Sequence, residues 1–257
     1  WATSVSVAHL RASKTAGKWA VTSRNSNLVQ AAGHPESPTV IAAVDAAHRE
    51  TVEYVTTPIG TTAEMWSADS SRVKDTPIID FILETQRKVA GTELASTAAF
   101  STDVSIPPGP ITIAQVAQLY PYENTLRAVR ITGKQLRDYL EFSARYWRAP
   151  APGSSPLEPN PAIAGYNFDI VSGVDYTIDV TRPIGSRITQ FDYKGSAVTD
   201  NQTFTMALNN YGQTGGGGYA MLSAAPVISR GQAEIRQLLI DEVKTRRQLE
   251  AADSLGM

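Results

Sequence analysis

The chain has 257 residues, 42% of them hydrophobic and 19% charged, with a formal net charge of −2, which suits one large domain or a domain with attachments at roughly 100–200 residues per domain. That balance provides no basic field to attract nucleic-acid polymers, so duplex or long single-strand binding is not expected. With no cysteine there is no disulfide, thiolate nucleophile or sulfur-ligated metal, and no stretch approaches the roughly 18 apolar residues of a membrane span, so no membrane partner is expected.

In chain order, residues 3–10 and 19–23 read as short strands, with Val5 and Val7 alternating against polar neighbours and a turn at Thr15-Ala16-Gly17. Ser37-Pro38 places a cap before a proline suited to the first helical position, and Val40, Ile41, Val44, Ala47 and Val52 continue with helical spacing, so one helix is expected over 38–55. A new domain begins after Thr57-Pro58. Thr76-Pro77 repeats the cap signature and opens a helix that stops near Gly91. Thr112-x-x-Gln115 and Thr132-x-x-Gln135 are capping-box patterns, predicting helices near 113–119 and 133–147, the second with Leu136, Tyr139, Leu140, Ser143 and Trp147 on one face.

Residues 148–165 are dense in Pro, Gly and Ser and read as an irregular loop. Beyond it, alternation predicts strands with Val174, Tyr176, Ile178 and Val180 on one face, a strand over 187–193 ended by a turn at Lys194-Gly195, and a strand with Phe204, Met206 and Leu208 on one face. A last helix is expected over 232–249, burying Ile235, Leu238, Leu239 and Val243. Strands and helices without regular βαβ alternation give an α+β class, and no internal repeat is visible.

Few groups are available for catalysis. The only histidines are His9, His34 and His48, which leaves no credible Ser/His/Asp nucleophile. Asp45 and His48, three apart on the predicted helix, either share a surface cation or form a solvated polar face. The Gly215–Gly218 run is not followed by the Lys-Ser/Thr of a phosphate-binding loop. Tyr122 and Tyr211 each fall at a predicted strand end. On spacing alone they read as half-buried packing residues and the glycines as a flexible turn; alternatively, face to face, they would form a slot for a flat heteroaromatic ring.

Three blocks bear on that choice: YPYENTLRAVRITGKQLRDYLEFSARYW at 120–147, YNFDIVSGVDYTIDV at 166–180 and NNYGQTGGGGY at 209–219. Together, in this order, they resemble the C-terminal, substrate-binding domain of the 5'-nucleotidase superfamily, most nearly its 2',3'-cyclic-nucleotide 2'-phosphodiesterase/3'-nucleotidase branch, over about residues 57–245. Upstream, residues 17–33 resemble the last strands of the preceding metallophosphatase domain and 34–55 the helix that joins the two. The resemblance therefore divides the chain into a metallophosphatase remnant (1–33), a linker helix (34–56) and a substrate-binding domain (57–257), the last with a mixed sheet and packed helices.

It also implies a parent hydrolase acting on nucleotide phosphoesters with two divalent metal ions such as manganese or zinc, periplasmic or secreted, whose N-terminal metallophosphatase domain would be the partner of this chain. The family's metal-ligand motifs are absent, so no catalytic or metal residue is expected here and the fragment alone is expected to be inactive. The start WATSVSVAHLRAS lacks a signal-peptide layout, and any leader is expected upstream. Residue by residue, the resemblance carries base stacking onto Tyr122 and Tyr211. It makes Asn124 a polar neighbour of the base or a turn residue. It aligns Arg72 with a substrate-contacting arginine, beside the alternative of an exposed arginine ahead of a helix. Gly215, Gly216 and Gly217 would let backbone approach the ligand.

Two departures stand out. Ala98-Ala99-Phe100-Ser101-Thr102-Asp103 replaces an Asn/Gly-rich segment that ends in a substrate-binding arginine, and Gly217 stands where a ribose-contacting Asp is usual. Both favour the cyclic-phosphodiesterase/3'-nucleotidase branch over 5'-monophosphate specificity. The other readings are a non-catalytic nucleoside- or small-ligand-binding module, and a relative with a diverged substrate such as a thiosulfohydrolase.

Overall fold

The computed structural model describes residues 3–150 and 157–251. The chain divides into two compact units, Trp1–Glu53 and Tyr54–Met257. In the first, strands Ser4–Thr15 and Lys18–Gln30 pair as an antiparallel hairpin, both longer than the alternation of Val5 and Val7 predicts. Ala16 and Gly17 turn the hairpin with φ of 51° and 81°, the positive angles that match strand twist in a two-residue turn. Helix Pro38–Thr56 follows and contains no buried residue. Val5, Leu10, Trp19, Val21, Val40 and Val44 are all exposed, so this unit has no apolar core of its own.

The second unit is built on a five-stranded mixed sheet in the order Val227–Glu234, Thr125–Thr132, Thr203–Asn209, Leu94–Ala98, Asp169–Ser172. Thr203–Asn209 and Leu94–Ala98 are parallel, and every other pairing is antiparallel. The central strand is buried on both faces. Phe204, Met206 and Leu208 pack with helix Gly133–Ser143, while Ala207 joins the opposite cluster with helices Pro77–Ala90, Ile113–Leu119 and Ile235–Arg246. At about 25 cal/mol per Å² of apolar surface removed from water, this double layer is the main source of stability.

The helix signals behave as their chemistry requires. Thr112 and Thr132 both form complete capping boxes with Gln115 and Gln135, and Gly91 closes its helix in the left-handed conformation, φ 63°. Thr76 is an exception: it stands at the N-cap, but its hydroxyl makes no cap bond and pairs with Ser71 Oγ at 2.7 Å. The helix expected over 133–147 ends at Ser143 and continues as a 3-10 turn, Ala144–Tyr146. There the buried Arg187 guanidinium donates to Ala144 O and Trp147 O, at 2.6 and 2.7 Å, and no local pattern announces so distant a partner.

The last helix begins later than expected, at Ile235, because Val227–Glu234 is taken up as an edge strand against Thr125–Thr132. It ends at Arg246, and Gln248–Leu249 pair with Thr61 and Thr62. Residues 151–156 of the expected loop lie outside the described residues; on either side the chain is irregular apart from a bridge between Trp147 and Pro159 and a turn at Gly165–Asn167.

Asp80, 3% exposed, is buried in the first turn of helix Pro77–Ala90, and its Oδ2 has no hydrogen-bond partner. Burial, then the neighbouring Asp75 and Glu84, hold its carboxyl well above the usual carboxylate range. A carboxyl raised in the folded state binds more protons there than when unfolded, so stability falls as pH rises from the ordinary carboxylate value of about 4 through neutrality. Asp80→Asn is therefore expected to raise Tm at pH 8, by at least the 2–4 °C that about 1 kcal/mol yields in a chain of this size, and to have little effect near pH 3.5; thermal melts across that range test it. Hydrogen exchange provides a second check. A lone two-stranded hairpin is marginal in water, so amides of Ser4–Gln30 should exchange much faster than those of Thr203–Asn209, and equal protection in a proven monomer would contradict this.

Candidate functional site

Strand direction brings four chain segments to one end of the main sheet. Thr203–Asn209 and Leu94–Ala98 finish there, whereas Thr125–Thr132 and Asp169–Ser172 start there, with Asn209 opposite Leu126 and Ala98 opposite Asp169. Residues just outside these strands converge on a cavity of about 290 Å³: Phe100, Tyr122, Asn124, Tyr166, Asn167, Tyr211 and Gly212, with Asp169, Asn209, Gly216 and Tyr219 completing its lining. No lysine, arginine or histidine is among them.

The segment Asn209-Asn210-Tyr211 divides three tasks between three side chains. Asn209 Oδ1 accepts from Gly212 N–H at 2.7 Å, capping the short helix Asn210–Gln213. Asn210 Oδ1 accepts from Thr125 N–H at 3.0 Å and ties this helix to the strand carrying the Tyr122 segment. Tyr211 is left on the cavity, 48% exposed, its hydroxyl accepting from Gly217 N–H at 2.9 Å. Gly216 backs the ring so closely that a Cβ would stand 2.7 Å from its Cδ1 and Cδ2 atoms. Tyr122, also on the cavity and 41% exposed, is braced by Phe100 and Tyr166 at centroid distances of 5.1 and 6.3 Å and interplanar angles of 76° and 71°. Neither neighbour stacks parallel on it.

Behind the aromatic walls lies a polar network. The Tyr139 hydroxyl donates to Asp169 Oδ2 at 2.6 Å and stands 2.5 Å from Ser96 Oγ. Ser143 Oγ donates to the Asp169 carbonyl at 2.7 Å; the Tyr219 hydroxyl donates to Asn167 O at 2.7 Å and accepts from Asp169 N–H at 3.4 Å. Burial pushes the Asp169 carboxyl up to about 6, although the Tyr139 and Tyr219 hydroxyls pull it down. Burial also raises both of those phenols, and the nearby Asp169 charge adds to the effect.

Of the residues picked out in the sequence, Tyr122, Asn124, Tyr211 and Gly216 line this cavity. Gly217 lies behind it, where φ is 67° and a Cβ would collide with Asn167 Oδ1; Gly215 stands in the preceding turn at φ 86°. Arg72 is neither exposed nor in the lining. Its guanidinium lies over the Tyr146 ring at 5.5 Å and donates to Tyr146 Oη and Ala99 O at 3.1 and 2.8 Å, leaving no room for a Cβ at Gly165. It thus props the two backbone segments that carry Phe100 and Tyr166, and lines a separate cavity of about 650 Å³ between helix Pro77–Ala90 and the sheet edge.

Asp45 forms an ion pair with Arg49 at 2.8 Å, and no group of three or more potential metal ligands comes together among the described residues. The residues present do not fit a dinuclear metal centre. Phe100, Tyr166, Asn167, Asp169, Asn209 and Tyr219 were not singled out as site residues, although all but Phe100 sit inside the YNFD and NNY–GGGGY blocks; their signal was position beside a strand end.

The sequence pattern of the family "5'-nucleotidase, C-terminal domain" matches residues 58–224. The chain is 30% identical over 278 aligned positions to the trifunctional nucleotide phosphoesterase protein YfkN of Bacillus subtilis (strain 168), covering 95% of this chain and 19% of that protein. It is 27% identical to the 2',3'-cyclic-nucleotide 2'-phosphodiesterase/3'-nucleotidase of Haemophilus influenzae, covering 98% of this chain and 45% of that protein. The chain thus spans less than half the length of either relative. A Staphylococcus aureus structure described as a 5'-nucleotidase in complex with alpha-ketoglutarate superimposes with a TM-score of 0.76 at 27% identity, over 93% of this chain and 47% of that one. This chain belongs to the 5'-nucleotidase C-terminal domain family.

Proposed function

We propose that the chain is the nucleoside-recognition part of a longer nucleotidase or 2',3'-cyclic-nucleotide phosphodiesterase, with Tyr122 and Tyr211 gripping the base between their rings. The observation that carries this reading is two half-exposed tyrosines on one cavity whose lining contains no cationic side chain. Such a cavity favours the neutral, flat part of a nucleotide, because every base has a π-face and nothing in the lining compensates a phosphate. The phosphoester would point outward, and the names of the longer relatives support its being the bond that the whole protein hydrolyses.

The parent would bind two divalent metal ions in a preceding metallophosphatase domain, where they would activate water and stabilise charge on the phosphoryl group. This chain's residues would do the rest: stack the base, hold its edge through Asn124, and keep Tyr211 in place through Gly216 and Gly217. Arg72 would act at one remove, by holding the segments beneath Phe100 and Tyr166. In the parent, the hairpin Ser4–Gln30 would be covered by that preceding domain, as its bare apolar residues require. No helix among the described residues is long and apolar enough to cross a membrane. The "5'-nucleotidase precursor" title of a Thermus thermophilus protein of like fold favours an exported, periplasmic or secreted location.

Base–aromatic stacking is worth about 1–3 kcal/mol per ring by alanine substitution, so Tyr122→Ala and Tyr211→Ala should each weaken adenosine binding by about tenfold to a hundredfold. Tyr122→Phe should be nearly silent. Tyr211→Phe should cost slightly more, since it leaves Gly217 N–H without its partner. Calorimetric titration of adenosine into the wild type and the variants measures this, and equal affinity in the wild type and both alanine variants would remove the clamp.

A further inference from the structure

Asp169 is out of place in an aromatic pocket. The Tyr139 hydroxyl donates to its Oδ2 at 2.6 Å, and the Tyr219 hydroxyl also favours its charged form. The residue lines the clamp cavity, where a bound ligand would meet it. The charge is also uncompensated. The hydroxyls that modulate its ionisation belong to Tyr139 and Tyr219, and it acts in turn on Tyr120 and Tyr176 at longer range. The facing strand Leu94–Ala98 contributes only serine and threonine hydroxyls, and the other tyrosines on the cavity are Tyr122, Tyr166 and Tyr211. Among the described residues, no lysine, arginine, histidine or second carboxylate takes part.

An anion with no cationic partner in an otherwise neutral pocket is costly, and each further hydrogen-bond donor stabilises it. A ligand in the cavity can supply one. We propose that Asp169 is a specificity-determining residue that accepts a hydrogen bond from an N–H on the edge of the bound base, so that the site selects nucleosides whose base presents such a donor. This rests on the clamp reading of the preceding subsection, and adds to it an edge contact that stacking cannot supply. Asp169 sits at the end of the strand Asp169–Ser172, between the Tyr166 segment and the sheet, and its backbone is fixed by Ser143 and Tyr219. The acceptor is therefore preorganised, while the stacked rings leave the ligand's orientation in their plane free to be set by it.

A donor that prefers the carboxylate ties binding to its ionisation. The folded carboxyl titrates near pH 6, so affinity should be full above that value and fall as pH drops through it, with ligand binding shifting the midpoint downward.

The test is a calorimetric series between pH 5 and pH 8 on the 257-residue chain, wild type and Asp169→Asn. The ligands are adenosine, 2'-deoxyadenosine and purine riboside, which stacks like adenosine but has no base N–H. A hydrogen bond to a charged group is worth about 1.5–3 kcal/mol, so at pH 7.5 wild type should bind adenosine about tenfold or more tighter than purine riboside. 2'-Deoxyadenosine should match adenosine. Only ligands with the N–H should lose affinity below pH 6, and Asp169→Asn should flatten that pH dependence and narrow the discrimination. Equal affinity for adenosine and purine riboside in the wild type, with both still dependent on the tyrosines, would overturn the Asp169 assignment and leave the clamp intact. A loss confined to 2'-deoxyadenosine would overturn it too, by moving the contact to the ribose. Failure of every nucleoside to bind would overturn both. If Asp169→Asn does not fold, the wild-type ligand and pH series still decides.

Discussion

The register between Thr203–Asn209 and its two neighbours is the constraint on which the site depends. Asn209 opposite Leu126, with Met206 and Ala207 parallel to Leu94 and Ala95, sets the ends of three strands level; the pairing of Ala98 with Asp169 adds the fourth. A slip of one residue would turn Phe204, Met206 and Leu208 toward the wrong helices and move Tyr211 off the cavity. Core packing on both faces therefore protects the geometry of a pocket that itself contains little apolar burial. The asparagine cross-tie from Asn210 to Thr125 carries that register into the loops.

Stability and recognition pull in opposite directions at this end of the sheet. A buried carboxylate held by tyrosine hydroxyls, with no cation nearby, lowers folding stability as pH rises through its titration. The two half-exposed tyrosines likewise leave apolar surface in water. Both features are expected where a preformed acceptor and stacking faces await a ligand. Asp80 presents the same electrostatic burden without a comparable aromatic slot beside it, and its carboxyl has two acidic neighbours rather than a ring of tyrosines.

Much of this was legible in the sequence because the physics is local. The capping boxes at Thr112 and Thr132 formed as read, since each is closed within four residues; Gly91 stopped its helix because the left-handed conformation costs glycine little. The alternation of Phe204, Met206 and Leu208 marked a strand face, although Ala207 shows that the other face is covered as well. Features decided by distant chain were not legible. Thr76 had a cap's sequence but found a better partner in Ser71. Residues 232–234 had a helix's pattern but were captured by the neighbouring strand, and Arg72 turned inward to Ala99 and Tyr146. Tyr122 and Tyr211 could be named from their blocks, whereas Phe100 and Asp169 become cavity residues only when the ladder sets Ala98 against Asp169.

The shared reading of Tyr122 and Tyr211 is tested most directly by a crystal structure of this chain with adenosine bound. The result expected is electron density for the purine between the two rings, its plane parallel to both and its ribose directed out of the cavity, away from Asp169. Adenosine bound elsewhere on the chain, or against one tyrosine with the other ring turned away, would contradict the clamp.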